Sequence, residues 1–392
     1  MAKEKEATKE QTTKEFFDLL DKKFAAYFEP DVFKTGIVPL DLALNGGLET
    51  GSLIELAGES QCGKSTLVLH LVKNMAEKGY KTLYIDAEGS VKEDMLKGIG
   101  LLDYLATKSK KNNMLTVIRQ SGFRAVEELF NAALKTKEYK IFVIDSLTAL
   151  VDDAQIDTKN ERSAIDTRLG LQAQLTSNLL RKLNALKTEY NCIFICINQT
   201  RNDFSNSFMV KAKSTGGKAV EFYPDVRLFM RVNKKIFESR QLIIGETEVP
   251  IGASGTIEAI KSRVGAGFIK YPITVYYGKG INNLTAYEAL LPTFIDKKTN
   301  KPVLEKLSTV SYALHLPSGD DKTTGGANGL HTLIHDHYNE IAEVTDMYLE
   351  EYFNKVKNNE IETSGEIYRD VEHDLEVVAD DSISMDYSLL TD

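Results

Sequence analysis

Eight consecutive residues have the types and spacing to hold a nucleotide. Gly58-Glu59-Ser60-Gln61-Cys62-Gly63-Lys64-Ser65, with Thr66 next, fits G-x-x-x-x-G-K-[ST] at every fixed position. In that pattern backbone N–H groups surround the phosphates, the lysine (Lys64) reaches the β/γ-phosphates, and the hydroxyl (Ser65) holds Mg²⁺. Leu53–Ala57 before it reads as a strand. Val68, Leu71, Val72, Met75 and Ala76 after it recur at helical spacing, and Gly79 closes the helix. A strand, a glycine-rich turn and a helix start put several amides at one point.

Three strand ends carry further polar chemistry. Ile141-Phe142-Val143-Ile144 is an apolar run ending in Asp145, which a neighbouring strand would deliver toward Mg²⁺ through water. Leu83–Asp86 is followed by Ala87-Glu88, and Glu88 is placed to orient an attacking water. Asn198-Gln199 ends a third strand, where an amide can sense a γ-phosphate. For Glu88 a surface loop glutamate, and for Gln199 a strand cap, are equal alternatives. Lys261-Ser262-Arg263 ends another strand. These cations read as ordinary surface charge, or as arginine-finger-like groups reaching a neighbouring subunit's nucleotide.

Two polar segments follow such strands. Residues 200–215 read as a structureless loop carrying Arg201, Lys211 and Lys213, with Phe204 and Phe208, closed by Gly216-Gly217. Cations interleaved with aromatics suit single-stranded nucleic acid, with a plain surface loop as the alternative. Residues 152–169 carry Lys159, Arg162 and Arg168 and precede a helix bearing Arg181 and Lys182. His331 and His335 stand at i, i+4 without a metal-binding carboxylate pattern and read as a solvated helix face.

The elements that must position these groups alternate strand and helix over 38–290, with strands at 82–86, 141–145, 192–198, 226–232, 256–261 and 273–277. Continuous apolar runs predict a parallel sheet covered on both faces. A short helix is expected over 13–28, with Phe17, Leu20 and Phe24 on one face. Lys301–Gly326 reads as irregular and Gly329–Lys357 as one or two helices. The domain division is 1–37, 38–290, 291–358 and an acidic tail over 359–392.

The 392 residues are 42% hydrophobic and 27% charged, an ordinary globular composition. No apolar run approaches a membrane span, and the charged start does not read as a signal peptide. Cys192 and Cys196 read as core residues, and a reducing, cytoplasmic setting fits the cysteine usage. The formal charge of −9 is concentrated in the tail, where nine acids from Glu366 to Asp392 face one base, Arg369. The remainder is near neutral, so net charge neither excludes DNA nor argues for it.

Taken in order, these segments resemble the RecA-type recombinases, bacterial and phage (UvsX-like). The resemblance runs from Lys34-Thr35-Gly36-Ile37-Val38-Pro39-Leu40-Asp41 through the Gly58–Thr66 loop, Ile85-Asp86-Ala87-Glu88, Val143-Ile144-Asp145-Ser146 and Ile197–Arg201. It continues through Gly216-Gly217 and Lys261-Ser262-Arg263 to Tyr277-Gly278-Lys279-Gly280-Ile281. It implies an α/β, RecA-like P-loop NTPase core with a mostly parallel twisted sheet flanked by helices, a short N-terminal helix and a small C-terminal domain. It further implies a DNA-dependent ATPase using ATP and Mg²⁺, which forms helical filaments on single-stranded DNA and exchanges strands with homologous double-stranded DNA. Glu88 would activate water, Gln199 would link γ-phosphate to the second DNA loop (200–215), and Lys261 and Arg263 would act across the protomer interface. Residues 152–169 would be the first DNA loop, and residues 13–28 with the strand after them would pack on the adjacent protomer. Lys92 and Met95 stand where the bacterial pattern has an aspartate and a tyrosine near the adenine, which leaves nucleotide preference open. The Lys-x-Arg wording of 261–263 is similar to the phage proteins and points to a phage-encoded or divergent member. A RecA-core hexameric helicase and a recombinase mediator with little exchange activity are the alternatives.

Overall fold

The computed structural model describes residues 30–107, 112–153, 165–203, 211–214, 217–242, 245–263, 268–308, 311–316, 319, 321–325 and 327–358. The helix expected over 13–28 and the acidic tail lie outside them.

A ten-stranded sheet organises the chain. Its strands are β3 (Leu53–Gly58), β4 (Lys81–Asp86), β5 (Leu115–Ile118), β6 (Tyr139–Asp145), β7 (Ile193–Asp203), β8 (Lys211–Ser214), β9 (Val226–Leu242), β10 (Gly245–Lys261), β11 (Lys270–Tyr276) and β12 (Gly280–Asn282). The order is β12-β11-β10-β9-β3-β7-β6-β4-β5, with β8 paired to β7. From β9 to β5 all neighbours run parallel, while β10, β11, β12 and β8 join antiparallel. Parallel pairing needs crossover helices, and these cover both faces. On one face Leu67, Val68, Leu71, Val72 and Met75 of the helix Lys64–Glu77 pack with Ile54, Leu56, Tyr84, Val143 and Ile195. On the other, Phe123, Val126, Phe130 and Leu134 of the helix Phe123–Thr136 join Leu179, Leu180 and Leu183 over Leu53, Leu83, Ile85, Phe142 and Phe194. Phe130 meets Phe142 edge-on at 5.3 Å. Cys192 and Cys196 are buried in this second layer, in line with their apolar setting in the sequence.

Several expectations need correction. The strand bearing Asp145 is not adjacent to β3, because β7 lies between β3 and β6. The 226–232 and 256–261 strands are the inner parts of a hairpin of two 17-residue strands, whose polar outer halves mask the continuation in the sequence. Residues 200–215 are not wholly a loop. Thr200 pairs with Ser214, Arg201 with Lys213, Asn202 with Ala212 and Asp203 with Lys211. Apart from these corrections, β1 (Val32–Phe33) pairs with β2 (Leu48–Glu49).

Lys301–Gly326 is likewise not irregular. It contains a three-stranded antiparallel sheet, β13 (Leu304–Lys306), β14 (Ser311–His315) and β15 (Asp321–Gly325), held on buried Leu304, Ala313 and Leu314. Strands of three to five residues with a single half-buried face leave little periodicity to read. Two helices follow, Ala327–Asp336 and Tyr338–Lys357. Among the described residues no helix is long and apolar enough to cross a membrane.

Candidate nucleotide and nucleic-acid site

The phosphate loop leaves the fully buried strand β3 and turns through Gln61 (φ 61°) and Gly63 (φ 94°) into the helix Lys64–Glu77. Gly63 is required twice over. Its left-handed φ suits glycine, and a Cβ there would stand 2.9 Å from Cγ1 of Val275 on β11. Gly58 is constrained by space alone, since a Cβ would fall 2.5 Å from the Met230 carbonyl of β9. No side chain caps the helix start, so its first amides face the loop. The Lys64 ammonium folds into this hollow, donating to the carbonyls of Gly58 (3.0 Å) and Glu59 (2.5 Å), with Cys62 Sγ at 3.7 Å. A triphosphate laid against this turn would meet uncapped amides and a cation already held there.

Asp145 ends β6 beside this loop. Its carboxylate accepts from the Tyr84 hydroxyl at 2.6 Å, and the Ser65 hydroxyl is near enough to lower its pKa. Burial pushes its pKa up, the two hydroxyls pull it down, and Glu88 and Asp86 add to the rise. The hydroxyl–carboxylate pair Ser65–Asp145 is a hard oxygen donor set, which fits Mg²⁺ taken with nucleotide phosphates and water. The buried phenol of Tyr84 is held protonated by its burial and by Asp145 itself.

Glu88 stands just past β4 and is reached from two directions. Gln199 Nε2, from the last β3-paired position of β7 opposite Gly58, donates to Glu88 Oε1 at 3.0 Å. The Ser146 hydroxyl donates to the same oxygen and lies 2.7 Å from the Thr148 hydroxyl. Asp86, by contrast, serves the loop: it accepts from the amides of Ser90 and Val91. The parallel strands therefore bring Lys64, Ser65, Asp145, Glu88 and Gln199 to one edge of the sheet, their C-terminal edge. Tyr84, Ser146 and Thr148 were not singled out in the sequence. Ser146 directly follows Asp145, but the 61-residue separation of Tyr84 from Asp145 left no local signal.

Lys261 and Arg263 are not brought to that edge. β10 runs antiparallel to β9, and its end, Lys261, sits opposite Arg227, which is level with Glu55 in β3. Arg263 Nη1 lies 2.6 Å from Asp225 Oδ1, and Asp225 Oδ2 accepts the Leu53 amide at 2.8 Å. Both cations thus stand at the beginning of β3, and the phosphate loop at its end. Five strand steps separate Leu53 from Gly58, about 17 Å. Lys261 Nζ donates to the carbonyls of Glu221 (3.0 Å) and Phe222 (2.8 Å), the end of the short helix Ala219–Phe222. Burial, then Arg263 and Arg227, depress its pKa. The buried charges beneath are paired: Lys187 with Asp225, and Arg227 with Glu55 at 2.6 Å.

The candidate nucleic-acid residues divide in three. Arg162, Phe208 and Gly216 lie outside the described residues. Arg168 belongs to the helix Ile165–Glu189, and Arg201, Lys211 and Lys213 lie on the paired ends of β7 and β8. Arg181 is exposed on that helix, with Nη2 3.4 Å from Asn178 Oδ1, and Gly217 takes a left-handed φ of 75°. Lys92 precedes the helix Glu93–Ile99, and Met95 is half-buried against the core. His331 is paired with Glu288 at 2.9 Å, and among the described residues no metal-ligating cluster occurs.

A phosphate-type loop at the C-terminal edge of a helix-covered parallel sheet, with a carboxylate two strands away, defines a P-loop nucleotide-binding α/β core. Comparisons with known proteins narrow the class. The family model "RecA N-terminal domain" matches residues 8–282. Protein RecA of Geobacter metallireducens is 30% identical over 322 residues, 82% of this chain and 85% of that protein. Protein RecA of Geobacter sulfurreducens is 32% identical over 256 residues, 64% of this chain and 70% of that protein. Protein RecA of Clostridioides difficile is 32% identical over 255 residues, covering 65% and 67%. The chain belongs to the RecA family.

Proposed function

We propose that this RecA-family chain is an ATP-dependent DNA strand-exchange recombinase that assembles as a helical filament on single-stranded DNA and pairs it with homologous duplex. ATP lies in the Gly58–Thr66 turn, with Lys64 on the β/γ-phosphates and Ser65 and Asp145 toward Mg²⁺. Mg²⁺ supplies charge neutralisation for phosphoryl transfer when bound. Glu88 orients the attacking water, and Gln199 holds the Glu88 carboxylate and senses the γ-phosphate. Lys261 and Arg263 serve the nucleotide of the adjoining protomer, and the segments at 152–169 and 200–217 grip the DNA.

One observation carries this reading. The two cations lie at the sheet edge opposite the chain's own phosphate loop, out of reach of it, so their chemistry suits a nucleotide on another copy. The register of β7 and β8 adds support: Arg201 pairs with Lys213, so the paired strand ends carry basic residue types on adjacent strands, a composition that suits a polyanion. On this reading residues 1–37 join protomers, 38–290 form the ATPase core, 291–358 a small C-terminal domain and 359–392 an acidic tail, and the protein works in the cytoplasm. Because base pairing supplies sequence specificity, DNA affinity is largely electrostatic and falls steeply with salt.

Electron microscopy with single-stranded DNA and a non-hydrolysable ATP analogue tests assembly, and a joint-molecule assay tests exchange. Filaments and joint molecules are expected, and Lys64→Ala is expected to lose both. Rings in place of filaments point to a helicase. DNA-stimulated ATPase without joint molecules points to a mediator.

A further inference from the structure

Segment 219–225 is the stretch of chain that leaves the second candidate DNA segment and enters β9, and it holds both interface cations. The carbonyls of Glu221 and Phe222 take the Lys261 ammonium, and the Asp225 carboxylate takes the Arg263 guanidinium. Asp225 is itself fixed. Its amide donates to the Leu53 carbonyl at 2.8 Å, and its Oδ2 accepts the Leu53 amide at 2.8 Å. The residue is therefore bracketed onto β3, the strand that opens into the phosphate loop.

The charges around Asp225 decide what it does to Arg263. Lys187, buried and in contact with Oδ2, already neutralises the carboxylate. Arg263 adds an ion pair, Nη1 lying 2.6 Å from the other oxygen, and its side chain stays 60% exposed. A guanidinium has five N–H donors. Among the described residues only Asp225 engages it, so the outward side of the fork and its positive charge remain for an anion beyond the protomer. Pairing to an already neutralised carboxylate orients the arginine without cancelling it.

Resting on the shared-site reading above, we propose that Asp225 is the positioning residue for Arg263. It aims the guanidinium at the neighbouring copy's γ-phosphate and ties that aim to the chain leaving the second DNA segment.

The test uses DNA-stimulated ATPase of full-length protein and mixed assemblies. Asp225→Asn is expected to lower kcat about tenfold or more, as misplacement of a charge-stabilising group does, with KM for ATP nearly unchanged. Glu88→Gln protomers cannot turn over their own nucleotide but still donate a well-held Arg263. Mixed with Asp225→Asn protomers, they are expected to restore activity above the sum of the two alone, and likewise with Arg263→Ala protomers. Removing the carboxylate leaves Lys187 buried and unpaired. Where that lowers folding yield, the double variant Asp225→Asn/Lys187→Met removes both charges and is read the same way. An unchanged kcat in the Asp225 variant overturns the proposal. So does a loss that Glu88→Gln protomers fail to relieve while relieving that of Arg263→Ala. If neither mixture recovers, the shared-site reading falls and this proposal with it.

Discussion

Tyr84→Phe probes the buried support of the metal-side carboxylate with the least disturbance. The ring sits at full burial within the sheet, and the substitution removes one oxygen and little volume. That oxygen donates to Asp145 Oδ2 at 2.6 Å, to a carboxylate that is itself 1% exposed. A hydrogen bond to a charged group contributes about 1.5–3 kcal/mol. At about 2–4 °C per kcal/mol for a domain of this size, Tm is expected to fall by about 3–12 °C. The pH dependence gives a sharper signature. Burial lifts the Asp145 pKa above its ordinary 3.8, and the Tyr84 bond opposes that lift. A carboxyl whose folded pKa is raised keeps its proton longer when folded, so its contribution to stability falls as pH rises from 3.8 through the raised value. Deleting the phenol raises the folded value further and carries that fall to higher pH. The gap in Tm between parent and variant is therefore small near pH 3.5 and largest at pH 7 and above. Thermal unfolding followed by circular dichroism across that range checks it. A gap that is the same at every pH would refute the assignment of Tyr84 as support for an ionised Asp145.

Two further outcomes follow from charge placement. His331 joins the helix Ala327–Asp336 to Glu288 of the helix Leu284–Leu290, and its hydrogen bond to Glu288 raises its pKa against the opposing effect of burial. A raised histidine contributes stability that is complete below 6.5 and disappears as pH climbs through the folded value. His331→Gln should thus cost about 1 kcal/mol at pH 5.5 and little at pH 9 in chemical denaturation; an equal cost at both would show that the ion pair contributes nothing. Deleting Glu366–Asp392 removes nine acids and one base and should tighten duplex binding in a fluorescence titration, because a tethered polyanion competes with phosphates. Weaker binding by the truncated chain would contradict that.

The sequence announced the phosphate loop because its chemistry is local: two glycines, a lysine and a hydroxyl must fall within eight residues. It announced β6 and β7 as apolar runs because a doubly covered strand has no polar face to alternate with. It was silent where partners come from far along the chain. Tyr84 meets Asp145 across 61 residues, Lys187 meets Asp225 across 38, and Asn198 meets Glu55 across 143. No spacing rule joins such residues, because the sheet order that makes them neighbours is itself non-sequential. The assumption that Asp145 lies one strand from the loop failed for the same reason. The pairing of 200–203 with 211–214 leaves no mark in the sequence because these polar, cationic strands carry none of the apolar alternation of a half-buried strand.

If Lys261 and Arg263 serve a nucleotide, as proposed, their place at the sheet edge opposite the phosphate loop has a consequence for assembly. A two-fold dimer brings the same patch of both copies together, so the phosphate loop of one copy would face the phosphate loop of the other and Arg263 would face outward. Only head-to-tail association sets Arg263 of one copy against Lys64 of the next, and it leaves the same pair unsatisfied at each end of the stack. Such growth either closes into a ring or continues as a helix, according to the rotation and rise per copy. On the proposed reading, a single strand gripped by the candidate DNA segments adds a lengthwise constraint, since each added copy would take up the next stretch of polymer. A closed ring fixes the number of copies whatever the length of the DNA, whereas an open helix grows with it. Sedimentation at fixed protein excess on DNA of increasing length separates the two. Particle mass that rises in proportion to DNA length fits the split site read as a filament, and a mass that stays constant fits a ring.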